Sequence, residues 1–468
     1  MNENKMEQNC DNKEQYLNVL LGQVRCKKVH FYIKEEISSH IEEQIEANLL
    51  NGMTKEEAEK AAIADMGNPI ETGVALDSIH KPRMEWRMVV LMAMVALLGM
   101  GIHQGIVEKL LVNPSFTDTQ TAMLNGSGNF AGYTMIGFIL MLLVYHIDYT
   151  TIGRYAKVLA ITFLCSLLLV IAFGQYVNGR VMWLTGFGSM NVSVYSFVML
   201  YVPLYGAVLY KYFGMAYKGL IMALLWGIAP VYIIFRMRYV FWAGMMAIML
   251  AMVLTMAICL NWFVVDRKKV LLVLWGLVAG LPLLGIVFVY KMNLLPLYQM
   301  HRIEAFLTNS GDANYLTGLL RNHLSNSRLL GASGMEVVGR LPNYNDSWIL
   351  TYLSSMYGVL VMVVICCVVA ALIIKVFSIA LGQKNQLGMV MGCGCGIVFL
   401  VQTVLNLLEN MGLFPATHTF LPFISAGGSD LIVCYILMAI VLSVYRYKSI
   451  YPKHINTKGK AVNIRISL

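Results

Sequence analysis

Ten apolar stretches of spanning length, joined by short polar segments, leave this chain few ways to fold. They start near Met88, Ala131, Val158, Val194, Gly219, Tyr239, Val270, Ile349, Leu387 and Leu431. About 20 apolar residues cross a bilayer as a helix. Hydrophobic residues make up 58% of the 468 and charged ones 13%, too apolar a balance for a soluble protein. A hydrocarbon interior admits only helices or closed barrels, and runs this long read as helices. The expected fold is all-α: a polytopic integral membrane protein of about ten transmembrane helices, with a large extracytosolic loop and a small cytosolic N-terminal helical domain.

The net charge of +9 could suggest nucleic acid, but the Lys and Arg residues sit beside apolar runs, so topology accounts for them and no nucleic-acid partner is expected. Arg154 and Lys157, Lys211 and Lys218, Arg267 to Lys269, Lys375 and Lys384, and Arg446, Lys448 and Lys453 fall at alternate joints. With those joints inside, both chain ends are cytosolic. Arg236 and Arg238 sit in a very short outer hinge and must snorkel or meet anions. Nine cysteines, most of them inside apolar runs, imply no disulfide framework, and Cys393 and Cys395 read as buried packing.

Residues 1–82 are charged, poor in aromatics and lack a secretory signal. Ile33, Ile37, Ile41, Ile45 and Leu49 recur at four-residue steps, the stripe of an amphipathic helix that Gly52 ends. Thr54 with Glu57 forms a capping box for a second helix; Gly67 and Pro69 stop it, and a third starts at Pro69. The pattern is similar to the helical prefix domain ahead of several bacterial permeases. It reads as a docking or regulatory module or as a solubilising spacer, since one neighbouring helix is enough to bury such a stripe. The domains expected are 1–82 (prefix), 83–450 (transmembrane, with the loop 291–348) and a basic tail, 451–468.

Between the last two apolar runs the chain reads NLLENMGLFPATHTFLPFISAGGSD, Asn406 to Asp430. Pro415 and Pro422 forbid a continuous helix, and Gly427, Gly428 and Ser429 relax the backbone. Broken backbone between spans survives only where protein or water satisfies it, so the stretch should line a cavity. Asn406, Gly412, Pro415, Thr417, Leu421, Pro422, Phe423, Ser425, Gly427, Gly428 and Ser429 fall without a gap on the late signature of the FtsW/RodA/SpoVE (SEDS) family, which this chain resembles.

The long outer segment from Tyr290 to Ile349 extends the resemblance at Arg302, Ala305, Phe306 and Leu307, and again at Leu341, Pro342, Ile349 and Gly358. In that register the family's essential Asp corresponds to Ser347, with Asp346 one position earlier. The family's Glu and His become Asn343 and Asn345. A one-residue bulge would bring Asp346 into the site; a regular helix would turn it about 100° away.

The resemblance implies a bacterial plasma-membrane protein that polymerises a lipid-linked peptidoglycan precursor, an undecaprenyl diphosphate disaccharide, beside a single-span class B transpeptidase and among membrane lipid. Inverting transfer needs one carboxylate to take a hydroxyl proton and cations to steady the departing diphosphate. Asp346 is the candidate base. Arg302, Arg321, Arg328 and Arg340 are the candidate diphosphate cations; for any one of them a solvated, headgroup-facing place in the loop is the better explanation. Asn406, Ser425, Gly427, Gly428 and Ser429 are the candidate substrate-binding positions. Gln402, Asn406 and Glu409 share one helix face, suited to function or to interhelical hydrogen bonding. No metal site is expected, because His103 and His418 lack a second histidine at ligand spacing. The residues name no cofactor; the resemblance allows a divalent cation. Against the transferase stands a catalytically silent relative that binds or flips the precursor or scaffolds a division or cell-shape complex. A solute transporter fits the composition but not the signature, and no Walker-type loop occurs.

Overall fold

In the computed structural model, residues 12–112, 124–177, 180–185, 191–280, 283–284, 315–334, 341–415, 417 and 419–454 are described. The chain divides into two compact units.

The smaller unit holds Met1–Met84 with Lys384–Gln386 and Tyr445–Ile455. Four helices build it: α1 (Lys13–Gln23), α2 (His30–Leu50), α3 (Lys55–Asp65) and α4 (Pro69–His80). Local chemistry fixes their ends. Gly52 and Gly67 take the left-handed conformation at φ 88 and 74, and Thr54 and Glu57 make the reciprocal capping box expected. The Ile33 stripe is buried at Ile33 and Ile41 but leaves Leu49 42% exposed. Four-residue steps drift by roughly 40° each around a helix, so such a stripe rotates out of its own core. α1 packs closely on α4, where a Cβ at Gly73 would lie 2.6 Å from the Leu20 carbonyl. Arg25 clamps the same pair through its amide and Nε, each 2.9 Å from an Asp77 carboxylate oxygen. Those bonds hold the Asp77 carboxyl below its usual range. The stretch after α18 contributes to this unit: the Arg83 amide donates to the Arg446 carbonyl, and Lys28 Nζ stands 4.5 Å over the Tyr447 ring.

The larger unit is helical and polytopic, with seven helices among the described residues long and apolar enough to cross a membrane. They are α5 (Trp86–Val112), α8 (Ala156–Phe173), α11 (Tyr217–Arg236), α12 (Val240–Cys259), α16 (Val359–Leu381), α17 (Gln386–Asn410) and α18 (Gly428–Arg446). Shorter helices fill the series: α6 (Phe130–His146), α7 (Tyr149–Arg154), the pair α9 (Val194–Met199) and α10 (Tyr201–Tyr210), α13 (Arg267–Trp275), α14 (Tyr315–Ser325) and α15 (Ile349–Tyr357). A helix thus stands at each of the ten apolar starts. The run expected to span from Ile349 is divided: Gly358, at φ 103, separates α15 from the spanning α16. There a Cβ would lie 2.6 Å from the Leu329 carbonyl. One small sheet joins the helices, with antiparallel strands β1 (Gln175–Val177), β2 (Arg180–Thr185) and β3 (Asn191–Ser193) in that order.

α17 is the most enclosed of the spans. Its glycines admit its neighbours: Gly394 faces the Pro203 backbone of α10, with 3.1 Å from a would-be Cβ to Pro203 Cα. Small residues permit this close approach where lipid supplies no hydrophobic drive. Arg236 and Arg238 are both exposed, and Arg238 bends the chain between α11 and α12 at φ 64.

Candidate functional site

Two asparagines at the end of α17 organise the site. Asn406 Nδ2 donates to the Ser347 carbonyl at 2.9 Å and to the Thr419 carbonyl and hydroxyl at 3.2 Å. One turn on, Asn410 Nδ2 also donates to Ser347 at 2.9 Å, while its Oδ1 accepts from the Thr351 amide at 3.0 Å. That last bond satisfies an amide in the first turn of α15. Glu409, fully buried, accepts from the Thr417 hydroxyl and from the Thr419 amide. Gln402 and Asn406 are fully buried as well, so the polar face of α17 points into protein.

After α17 the chain turns rather than spans. The Ser425 amide donates to the Leu421 carbonyl at 3.0 Å, and Phe423 adopts φ 65, held by the Phe399 and Tyr435 rings. This turn grips the loop before α15. The Ala426 amide donates to the Asn345 carbonyl at 3.0 Å, and Ser425 Oγ donates to the Asp346 carbonyl at 2.8 Å. The 341–348 segment is itself irregular: Asn343 has φ 50, and the Asp346 and Trp348 amides both donate to its carbonyl. Asp346 accordingly meets the Gly427 amide with its carboxylate. Its Oδ1 is sealed from solvent without a hydrogen-bond partner. Burial raises this carboxyl to about 6, although the Gly427 amide works against the rise.

Beside it His103 Nε2 lies 2.8 Å from the Ile424 carbonyl, and its Nδ1 3.2 Å from Ser127 Oγ. Asn345 Nδ2 donates to the same Ser127 hydroxyl at 3.1 Å. This histidine is committed to holding the turn, under the Phe130 ring.

The candidate residues separate into three groups. Asn406, Ser425 and Gly427 gather around the 345–347 backbone with Asp346. Gly428 and Ser429 open α18 beside them. A Cβ at Gly428 would lie 2.7 Å from the Tyr133 ring, and Ser429 Oγ accepts from the Ser193 amide at the end of β3. Of the candidate arginines among the described residues, Arg321 of α14 gives its Nε to the Gly412 carbonyl at 2.8 Å, and Arg328 is exposed. Arg302 and Arg340 lie outside the described residues, as do His418 and the tail from 455.

Sequence reasoning gave Asn410 no role, although its i, i+4 spacing from Asn406 was an available signal. It also gave no part to Tyr195 of α9, whose ring packs 4.0 Å from that of Trp242. Asp430 falls in the first turn of α18, where a carboxylate suits the helix dipole. Among the described residues it pairs with no arginine and lies near Asp346. The divalent cation that the resemblance allows meets no ligand set, because among the described residues no three His, Cys, Asp or Glu side chains gather.

The chain aligns at 26% identity over 176 residues with a probable peptidoglycan glycosyltransferase FtsW of Trichlorobacter lovleyi, covering 36% of this chain and 45% of that protein. For this relative and for an FtsW of Enterococcus hirae the match spans about half of the relative's length, 45% and 52%. Stage V sporulation protein E of Bacillus subtilis aligns at 25% identity over 334 residues, 68% of this chain and 85% of that one. A solved chain from a study of how a peptidoglycan synthase complex coordinates polymerization and crosslinking superposes with a TM-score of 0.62 at 19% identity. That superposition covers 78% of this chain and 99% of the other and speaks for the fold. The family model of the FtsW/RodA/SpoVE cell cycle proteins matches residues 88–450, and the chain belongs to that family.

Proposed function

We propose that this protein is an inverting peptidoglycan glycosyltransferase of the outer membrane face, extending glycan strands from a lipid-linked disaccharide. One observation carries the reading: the turn at 421–427 grips the 345–346 backbone and turns the Asp346 carboxylate onto the Gly427 amide. The candidate base thus stays against the signature turn despite its shift in register. In the reaction Asp346 takes the acceptor hydroxyl proton, the oxygen bonds to the anomeric carbon, and the bond to the diphosphate breaks with its electron pair leaving on the undecaprenyl diphosphate. A carboxyl near 6 is suited to that task close to neutral pH. The arginine assignment is weaker support, since Arg321 is engaged with a backbone carbonyl.

On the same reading both chain ends are cytosolic in a bacterial plasma membrane, ten helices span it, residues 1–82 form a docking module, and a single-span transpeptidase is the partner. The test is incubation of the purified protein, with and without that transpeptidase, with labelled lipid-linked disaccharide. Polymer in the paired reaction supports the transferase. Precursor binding without polymer in either reaction would leave the silent binding or scaffold role. Ser347→Asp should preserve or raise polymer yield.

A further inference from the structure

Residues 24–29, 78–84, 384–386 and 445–455 of the smaller unit hold nine Lys and Arg and no Asp or Glu. Helices α2 and α3 hold nine Asp and Glu against three Lys, so the unit divides its charge between elements instead of mixing it. Hydrogen bonds bring the basic segments together. The Arg83 amide donates to the Arg446 carbonyl at 3.2 Å, a His80 ring nitrogen lies 2.5 Å from the Ser449 carbonyl, and the Gln386 amide donates to the Lys453 carbonyl at 3.1 Å. Lys28 Nζ donates to the Tyr447 hydroxyl at 3.3 Å, and the Arg446 guanidinium stands 5.6 Å over the same ring. All nine cations but the half-buried Arg446 are exposed. Arg25 has an ion pair with Asp77 at 2.8 Å, whereas Lys27, Arg83, Lys384, Lys448 and Lys453 have none among the described residues.

Cations beside spans set topology during insertion, and that need covers Lys81, Arg83, Lys384 and the residues that end and follow α18. It does not cover Arg25, Lys27 and Lys28, because the rule counts charges within roughly 15–20 residues of a span end and these stand far outside that range before Trp86. The fold nonetheless seats Lys28 on Tyr447, the residue after the end of α18. Arg83 comes three residues before α5 and Lys384 two before α17. Three residues reach at most about 11 Å, so the chain keeps these cations about one Debye length from a span end. Phe31, in the first turn of α2 beside Lys28, is 62% exposed. Its ring meets that of Tyr32, which in turn meets Tyr451. An exposed aromatic among cations suits the headgroup level of a bilayer. We propose that these segments form a binding site for anionic phospholipid, which holds the smaller unit on the membrane surface. A bilayer is a polyanion that the chain itself keeps within reach, while an acidic protein would have to displace it. The proposal does not depend on the transferase reading.

The test uses the full-length protein in nanodiscs of phosphatidylcholine, alone or mixed with phosphatidylglycerol, and reads amide hydrogen exchange over α1 to α4. Lipid that binds the folded unit slows its opening. Exchange in the phosphatidylglycerol discs should therefore slow on the order of tenfold, the effect of one or two cations beside an anionic leaflet. Lys27→Gln, Lys384→Gln, Lys448→Gln and Lys453→Gln combined should remove most of that slowing and leave exchange in phosphatidylcholine discs as in the wild type, since these exposed side chains hold no partner in the fold. Equal exchange of the wild type in both discs overturns the proposal and leaves the cations to topology or to an acidic protein. Slowing that persists in full in the combined variant also overturns it, because the lipid would then be held elsewhere. Inorganic phosphate added to the phosphatidylcholine discs should have no effect; slowing by phosphate alone would mean a site for a soluble anion and would contradict a lipid site.

Discussion

Asn406 and Ser347, 59 residues apart in the chain, are joined by a hydrogen bond of 2.9 Å from the Asn406 amide group to the Ser347 carbonyl. The same nitrogen serves Thr419, so one buried side chain ties α17 to both segments that meet at Asp346. Removing it leaves the Ser347 carbonyl its bond from Asn410 but takes the donor from the buried Thr419 acceptors, at a cost of about 1–3 kcal/mol. Asn406→Ala should therefore lower the unfolding free energy in detergent by that amount and abolish polymerisation. An unchanged unfolding midpoint would mean that this asparagine does not act as a tie.

Gly428 separates packing from ligand binding. Its missing Cβ faces the Tyr133 ring at 2.7 Å, a distance no real side chain tolerates. Gly428→Val should destabilise by about 1–3 kcal/mol through overpacking, and Tyr133→Ala in the same molecule should restore most of the loss. Precursor affinity of the folded double variant should match the wild type. If affinity stays low with Tyr133 removed, Gly428 is a wall of the substrate cavity rather than a helix contact.

Asp346 should cost stability. Its folded-state pKa of about 6 lies above the ordinary 3.8, so the native state holds this proton more tightly than the unfolded chain does. The resulting stability is fully present below the ordinary value and is lost as pH rises through about 6. Asp346→Asn removes that loss and should gain on the order of 1–3 kcal/mol at pH ~8, with little change at pH ~4. Melting curves at the two pH values check this, and a variant less stable than wild type at the higher pH would contradict it. The acid limb of polymerisation should likewise fall as pH drops through about 6.

What could be read from the chain was local or repetitive. The Thr54–Glu57 capping box and the left-handed Gly52 and Gly67 are short-range devices, and each is found as the residues predict. The apolar starts were legible because a bilayer demands length and apolarity together. The break at Gly358 was not, since no proline or charged residue interrupts the run from Ile349 and only a positive φ beside the Leu329 carbonyl divides it. Short strands such as Arg180–Thr185 carry too few residues to stand out beside spanning runs. Arg321 reads as a free cation until the Gly412 carbonyl, 91 residues away, is brought to its Nε. The meeting of Asp346 with Gly427 depends on two irregular turns gripping each other, which no periodicity announces.

The most direct measurement is glycan polymer formed from labelled lipid-linked disaccharide by the wild type and by Asp346→Asn, each with a single-span transpeptidase present and each shown to be folded. Loss of a positioned general base costs about 10²–10⁴-fold, so the wild type should yield polymer and the variant less than a hundredth as much. Equal polymer from both would contradict the account, because the hydroxyl proton would then be going somewhere other than Asp346.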